Sequence, residues 1–192
     1  ELDSKSLDAF LLLASVQSRR GSVDAAVQTY ERNIQANPRD VRSYILLGAL
    51  EESRKRVDRA RQLYEQALQV SPDNPIAANN LAYILLEHGG NVDVALSLAQ
   101  VARRGLPKMS NSADTLGWAY YKKGAYSLAI GLLQEALKDG PQNATYHYHL
   151  GMAYHKNNEP AKARQHLRRA LELQANFENA EDARRTLAEL GG

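Results

Sequence analysis

The sequence contains no cysteine. This absence excludes disulfide bonds, thiolate nucleophiles and cysteine-bound metals, and it leaves the redox compartment undecided because proteins of every compartment can do without cysteine. No stretch approaches the roughly 18 consecutive apolar residues of a membrane-spanning helix. Apolar residues make up 44% of the chain and charged residues 24%, which is ordinary for a folded domain.

The sequence also has no large excess of positive or of negative side chains. The 24 basic and 22 acidic side chains leave a formal net charge of +2, which is too small for the broad positive field that attracts nucleic acids or membrane surfaces. The basic clusters at 54–56, 103–104 and 168–169 are scattered and interleaved with acidic residues. A nucleic-acid partner is therefore disfavoured.

Motifs that carry chemistry are absent as well. The sequence has no nucleophile elbow, phosphate-binding loop, zinc-protease helix or dinucleotide fingerprint. The neighbouring acids at 51–52 and at 181–182 point apart on a helix. No two of the five histidines have the i, i+4 spacing that directs two imidazoles at one ion. We therefore expect a protein that is not an enzyme, with no catalytic residue, no metal site and no cofactor.

What the sequence does contain is an internal repeat of 34 residues. Aligning 44–74 with 113–143 superposes their glycines, alanines and prolines. A bulky residue, Leu-Gly, Tyr, a small residue and a proline recur at fixed offsets, and this pattern resembles the tetratricopeptide repeat family along nearly the whole chain. The copies span 7–40, 41–74, 75–109, 110–143 and 144–177, and an amphipathic segment follows at 178–190.

Three positions in each copy carry small residues. They hold glycine or alanine in fourteen of fifteen cases, and Asn33 is the exception. Two helices joined by a short turn cross closely only where side chains are small, and overpacking such a site costs about 1–3 kcal/mol. Asn33 therefore predicts looser packing in the first copy. The fifteen positions are Ala14, Gly48, Ala82, Gly117, Gly151, Ala26, Ala60, Ala95, Ala129, Ala163, Asn33, Ala67, Ala102, Ala136 and Ala170.

Glycines and prolines indicate where the helices end. Gly21, Gly89, Gly124 and the asparagine pair at 157–158 mark turns inside the hairpins, and prolines follow four of the second helices. Together with the resemblance, this predicts an all-α protein, a right-handed α-solenoid of five helix-turn-helix repeats with a C-terminal capping helix at 178–190. We expect eleven helices, a single domain over 1–192 and no single globular core.

The resemblance implies that the first helices of the repeats line a concave groove. In the fourth copy a stripe from Ala113 to Tyr120 recurs in the other copies and forms the core face. A second stripe, one residue later, has no fixed counterpart and is predicted to line the groove. The candidate binding residues are Asn79, Asn80, Tyr83, Asp114, Trp118, Tyr121, Lys122, Tyr148, His149, Met152 and His155, and Leu86 and Glu87 lie on the same stripe.

The aromatic residues of this stripe have two interpretations. Aromatic side chains bury large areas at low entropy cost and are enriched at binding hot spots, so Trp118, Tyr121 and Tyr148 could contact a ligand. Tyrosine is also common on the first helices of the family, so the same rings could pack against neighbouring helices. Asn79 and Asn80 can each donate and accept a hydrogen bond, which suits a peptide backbone or a sugar hydroxyl.

The groove is aliphatic toward the amino end, where Leu11, Leu12, Ile45 and Leu46 occupy the same stripe. These side chains either contact a ligand or are covered by a preceding repeat or a second copy of the chain. An uncovered apolar patch of this kind favours association. Self-association through this end is therefore one of the predicted partner modes.

We predict a non-catalytic interaction scaffold that binds a protein or peptide, as an extended segment or a partner helix, in the groove. Some members of the family hold the carboxylate tails of chaperones with a set of lysines, asparagines and an arginine on their first helices. The predicted groove of this chain lacks such a set. The segments 79–100 and 112–126 resemble bacterial envelope repeat proteins, so one alternative is a role in exopolysaccharide secretion or protein sorting with sugars stacked on Trp118, Tyr83 and Tyr121. Another is a spacer or oligomerisation arm.

The chain begins at Glu1 rather than methionine, which indicates a processed or excised piece. Localisation is therefore undecided, and a bacterial periplasm or envelope setting is slightly favoured over the cytoplasm.

Overall fold

The computed structural model describes the backbone of residues 4–191 and the side chains of 8–191. The predicted domain limits at 1 and 192 lie outside these residues. The described part is all-α, and the prediction of eleven helices is confirmed. The helices are α1 (Ser4–Arg19), α2 (Val23–Ala36), α3 (Val41–Ser53), α4 (Val57–Val70), α5 (Pro75–Glu87), α6 (Val92–Gly105), α7 (Ser110–Lys122), α8 (Tyr126–Asp139), α9 (Ala144–Lys156), α10 (Pro160–Leu173) and α11 (Ala180–Glu189).

Consecutive helices pair as antiparallel hairpins that stack into a right-handed solenoid. The first helices form an inner row, in which α7 contacts both α5 and α9. Buried apolar side chains form four clusters along the described chain. Each hairpin therefore depends on its neighbours for burial, as expected for a repeat protein.

The small positions lie where paired helices cross. A Cβ atom added to Gly48 would lie 2.6 Å from a ring carbon of Tyr64, and one added to Gly117 would lie 2.8 Å from Cγ of Leu133. A Cβ atom does not approach a non-bonded carbon atom this closely, so a side chain at either glycine would push the paired helices apart. The sequence interpretation of these positions as close crossings agrees with the structure.

Asn33 is accommodated at its small position by hydrogen bonds. Its side chain is buried, and its Nδ2 donates to Ser43 Oγ and, over 3.2 Å, to Asp40 Oδ2. Ser43 Oγ donates to the same Asp40 oxygen over 2.8 Å. A buried amide with its hydrogen bonds made is stable, and here it ties the end of α2 to the start of α3.

A residue with left-handed backbone conformation closes the turn inside every hairpin. The predicted Gly21, Gly89 and Gly124 have φ of +78°, +78° and +79°, and Asn158 has φ of +60°. Lys55 takes the same role in the second hairpin with φ of +63°. Lysine carries a Cβ that this conformation disfavours, so the second turn stores strain that the glycine turns avoid.

The connector 174–179 and α11 do more than cap the last repeat. The buried Phe177 ring lies 5.6 Å from the Tyr148 ring, and Tyr148 donates its hydroxyl hydrogen bond to Asp182 over 2.7 Å. Asn179 Nδ2 donates to Glu87 Oε2 over 3.0 Å, although the two residues are 92 positions apart. The C-terminal end therefore folds back across the inner row as far as α5.

The amino end leaves apolar side chains exposed. Leu13 is 48% exposed, whereas the equivalent leucine of the second copy, Leu47, is 1% exposed. Leu12 and Leu46 are also exposed, but Ile45 is buried and Leu11 is half-buried. The predicted aliphatic stripe is thus divided, and only part of it is available to a partner.

The backbone strain at Lys55 predicts that a substitution there changes the free energy of unfolding. Lys55→Gly should raise the free energy of unfolding by about 1 kcal/mol, because glycine adopts a positive φ without steric penalty. Urea denaturation followed by circular dichroism measures the change. Lys55→Ala is the matched control: it removes the same charge and side chain but keeps the Cβ, and an equal gain in both variants would contradict this explanation.

Candidate binding groove and its buried charge cluster

The structure divides the predicted binding residues into two groups by exposure. Asn80, Tyr83, Tyr121 and His155 are half-buried, and Lys122 is exposed. The remaining six are buried between the helices and the folded-back C-terminal end. They are Asn79, Asp114, Trp118, Tyr148, His149 and Met152.

Trp118 is 2% exposed and has no free surface for a ligand. Its indole stacks on Tyr121 with ring centroids 4.3 Å apart and on His149 at 4.1 Å, and its Nε1–H donates to Glu87. The expectation that this ring faces an open groove is wrong, because the inner helices and the connector close over it. The packing interpretation holds for Trp118, Tyr148 and His149, and Trp118 has no face on which a sugar could stack.

At the centre of this packing, His149 is fully buried between two carboxylates. Its Nδ1 lies 2.9 and 3.0 Å from the two oxygens of Asp114, and its Nε2 lies 3.8 Å from Glu87 Oε1. The first contact is a hydrogen bond, whereas the second is too long for one and is an ion-pair contact. We call Glu87, Asp114 and His149 the charge cluster.

The charge cluster holds its groups ionised despite burial. Burial alone would lower the pKa of His149, but Asp114 and Glu87 outweigh it and raise the pKa to about 9. Burial would likewise raise the pKa of Glu87, but His149 and the hydrogen bonds from Asn179 and Trp118 lower it to about 2. An imidazolium thus sits between two carboxylates at neutral pH.

Sequence reasoning placed Glu87 on the inner stripe but did not select it as a site residue. The signal that could have identified the charge cluster is the spacing of Asp114 and His149, which differ by one repeat plus one residue. Residues so spaced on successive first helices are neighbours in a solenoid. An acid and a histidine in this register indicate a buried pair rather than two separate ligand contacts.

Two clefts of the open inner surface share Glu52 and Tyr83. The first, which we call the acidic cleft, has a volume of about 380 Å³ and is also lined by Ser53, His88 and Glu178. The second, which we call the asparagine cleft, has a volume of about 220 Å³ and is also lined by Asn79, Asn80, Asn111, Thr115 and Tyr146. Of the predicted binding residues, Asn79, Asn80, Tyr83 and Asp114 line these clefts.

Asn79 is the most unusual group in the asparagine cleft. Its side chain is 5% exposed, and its Oδ1 is buried without a hydrogen-bond donor. A buried acceptor left unpaired costs about 1–3 kcal/mol. Most buried polar groups in native proteins are paired, and this oxygen is one of five buried side-chain atoms in the described residues that are not.

Most of the sequence matches one family. The tetratricopeptide repeat profile covers residues 11–75, 56–110 and 115–183. The chain belongs to the tetratricopeptide repeat family. No curated protein sequence matches it significantly.

Solved tetratricopeptide repeat structures share the fold at low sequence identity. MamA from Desulfovibrio magneticus RS-1, from residue 41 to its end, is 20% identical with a TM-score of 0.69, over 90% of this chain and 97% of that one. YrrB, described as having an unusual peptide-binding site, is 18% identical with a TM-score of 0.68, over 96% and 98%. PilW, a type IV pilus biogenesis factor, is 16% identical with a TM-score of 0.73, over 96% and 90%.

No three histidine, aspartate or glutamate side chains within 8–191 are arranged to hold a metal ion. No helix in the described tetratricopeptide repeats combines the length and apolar character needed to cross a membrane.

The charge cluster predicts how stability depends on pH. A histidine whose pKa rises from 6.5 to about 9 on folding stabilises the protein fully below pH 6.5 and loses this contribution as pH rises through 9. The free energy of unfolding should therefore fall by about 3 kcal/mol across this range. Urea denaturation followed by circular dichroism at pH 6.5, 7.5, 8.5 and 9.5 measures it.

The same titration in His149→Gln is the control. Glutamine cannot ionise, so this variant should be less stable at pH 6.5 and should lose the fall toward pH 9. The other buried pair, His147 and His166, acts in the opposite direction: burial lowers both pKa values, so this pair adds stability as pH rises through 6.5, and the variant shows that rise alone. A wild-type curve that is flat or rising from pH 6.5 to 9 would show that His149 is not ionised when folded.

Proposed function

We propose that this chain is a non-catalytic protein-interaction scaffold that binds an extended peptide segment along the asparagine and acidic clefts. The observation that supports this most directly is the buried, unpaired Oδ1 of Asn79 in a cleft lined by amide side chains. A peptide N–H is the simplest donor that could satisfy it. The family assignment supports an interaction role in general.

Amide side chains suit a peptide backbone because each presents one acceptor and two donors. Asn79, Asn80 and Asn111 come from two successive first helices, so they can contact consecutive peptide groups of one extended segment. YrrB, a neighbour in fold, is described as having a peptide-binding site. This description supports a peptide as the ligand class.

The dimensions of the clefts favour an extended segment over a helix. An α-helix with its side chains is about 10–12 Å across, and clefts of 220 and 380 Å³ are too small to receive it. The rest of the inner surface, where Trp118 and Tyr148 were expected to make contacts, is filled by the chain's own connector and α11. The proposed contacts are therefore Asn79, Asn80 and Tyr83 with Asn111.

Asn79→Leu tests this proposal, because it should separate binding from stability. Removing the unpaired acceptor while keeping the volume should raise the free energy of unfolding by about 1 kcal/mol and should weaken peptide binding about tenfold or more. The probe is a phage-displayed library of random dodecapeptides selected on the intact chain. Selected peptides are then synthesised with a fluorescent label, and their affinities are measured by anisotropy.

Gln165→Leu is the matched control, since it makes the same amide-to-leucine change at an exposed residue of α10 that lines neither cleft. Its peptide affinities should equal those of the wild type. Selected peptides that bind Asn79→Leu as tightly as the wild type would refute the proposed groove, as would a library that yields no binder.

A further inference from the structure

The Tyr83 ring at the boundary of the two clefts is surrounded by carboxylates. Burial raises the pKa of its hydroxyl most, and Glu87, Glu178, Asp114 and Glu52 each raise it further. These four acids come from three inner helices and from the connector. Three of them line the clefts together with Tyr83, Glu178 in the acidic cleft, Asp114 in the asparagine cleft and Glu52 in both, so negative charge is concentrated along this part of the inner surface.

Only part of this charge is neutralised within the protein. The His149 imidazolium lies between Asp114 and Glu87 and compensates one of them. Glu178 lies 4.0 Å from the His88 ring, and the exposed Lys55 lies at the edge of the acidic cleft. The acidic cleft therefore retains an excess of carboxylates over cations.

Glu52 is the carboxylate that lines both clefts. Among the described residues it has no ion-pair partner within 4.0 Å, and its one hydrogen bond is from the Tyr64 hydroxyl to Oε2 over 3.0 Å. Burial raises the pKa of Glu52 and Glu178 adds to this rise, whereas the Tyr64 hydrogen bond and, more weakly, His88 and Lys55 oppose it. A half-buried carboxylate that another carboxylate disfavours is stabilised by an external cation.

A second, independent observation also indicates a missing donor. The Asn79 Oδ1 is unpaired in the asparagine cleft, which shares Glu52 and Tyr83 with the acidic cleft. Thus a buried amide oxygen and a carboxylate without an ion-pair partner belong to residues that line the same cleft, and both are acceptors. A ligand that satisfies them must be rich in N–H donors and must carry positive charge.

We propose that the acidic cleft receives the side chain of an arginine of the bound peptide, between Glu52 and Glu178 and beside the Tyr83 ring. This inference rests on the proposed function. Arginine fits better than lysine because its planar guanidinium has five donors in a fork that matches a carboxylate and because it stacks on aromatic faces. The volume of about 380 Å³ accommodates one long side chain.

The test compares an arginine with its neutral isostere. A library-selected peptide is synthesised with arginine and with citrulline at the same position, and anisotropy gives both affinities for the wild type, Glu52→Gln and Glu178→Gln. Citrulline should weaken binding to the wild type about tenfold or more and should weaken binding to either variant no more than about threefold. Glutamine can still accept the Tyr64 hydrogen bond, and the exposed Glu178 offers a second variant if Glu52→Gln does not fold.

Glu65→Gln is the control, because it removes an exposed carboxylate of α4 that lines neither cleft. In this variant the difference between arginine and citrulline should be as large as in the wild type. An equal loss in Glu52→Gln, Glu178→Gln and the wild type would overturn the assignment of the cleft.

The outcomes also distinguish this inference from the proposed function. Selected peptides that lack a basic residue, yet lose affinity for Asn79→Leu, would overturn the arginine site and leave the peptide groove standing. Peptides that contain arginine but bind Asn79→Leu and Glu52→Gln as tightly as the wild type would overturn both.

Discussion

The inner surface of the C-terminal half depends on one buried imidazolium. His149 lies between Asp114 and Glu87, and this arrangement connects α9 to α7 and to α5 at a point that water does not reach. Burying three charged groups is expensive unless they compensate one another. The charge cluster is therefore stable only as a complete set, and the aromatic residues around it are arranged to keep it dry.

Trp118 serves this arrangement rather than recognition. The indole covers one face of His149 and satisfies Glu87 with its only donor. Large aromatic rings are frequent at binding hot spots because they bury area with little entropy cost, but the same property suits them to enclose a buried ion pair. Two polar residues at the edge of the cluster, Asn79 and Glu52, line the asparagine cleft instead.

The features that the sequence could predict are those that depend on residues close together in the chain. The repeat period, the small residues at helix crossings and the glycine turns each depend on residues within one hairpin, so a single sequence contains the whole signal. Lys55 shows the limit of this reasoning, since neighbouring packing imposes a positive φ on a residue that does not favour it. Asn33 shows another limit, because its partners Asp40 and Ser43 belong to the next turn and helix.

The exposure of the groove residues was predicted less well, because it depends on residues that are distant in the sequence. Periodicity correctly placed a second stripe on the inner helices, but it could not show that the connector 174–179 would return to α5. Six of the eleven candidates are buried, and three of them, Trp118, Tyr148 and Met152, belong to the apolar cluster that includes Phe177 of the connector. Asn79 and Asn80 were selected for their donors and acceptors, and they line a cleft because they lie on the part of α5 that the connector leaves open.

The hydrogen bond between Asn179 and Glu87 changes the cooperativity expected of the array. In a linear array of repeats each unit couples only to its neighbours, so the terminal units fray first and unfolding spreads inward in small steps. Here the connector before the last helix is fastened to the third repeat, which turns three consecutive hairpins into a closed ring. Fraying from the carboxyl end must open this ring in one event, whereas the first two hairpins remain free to open separately.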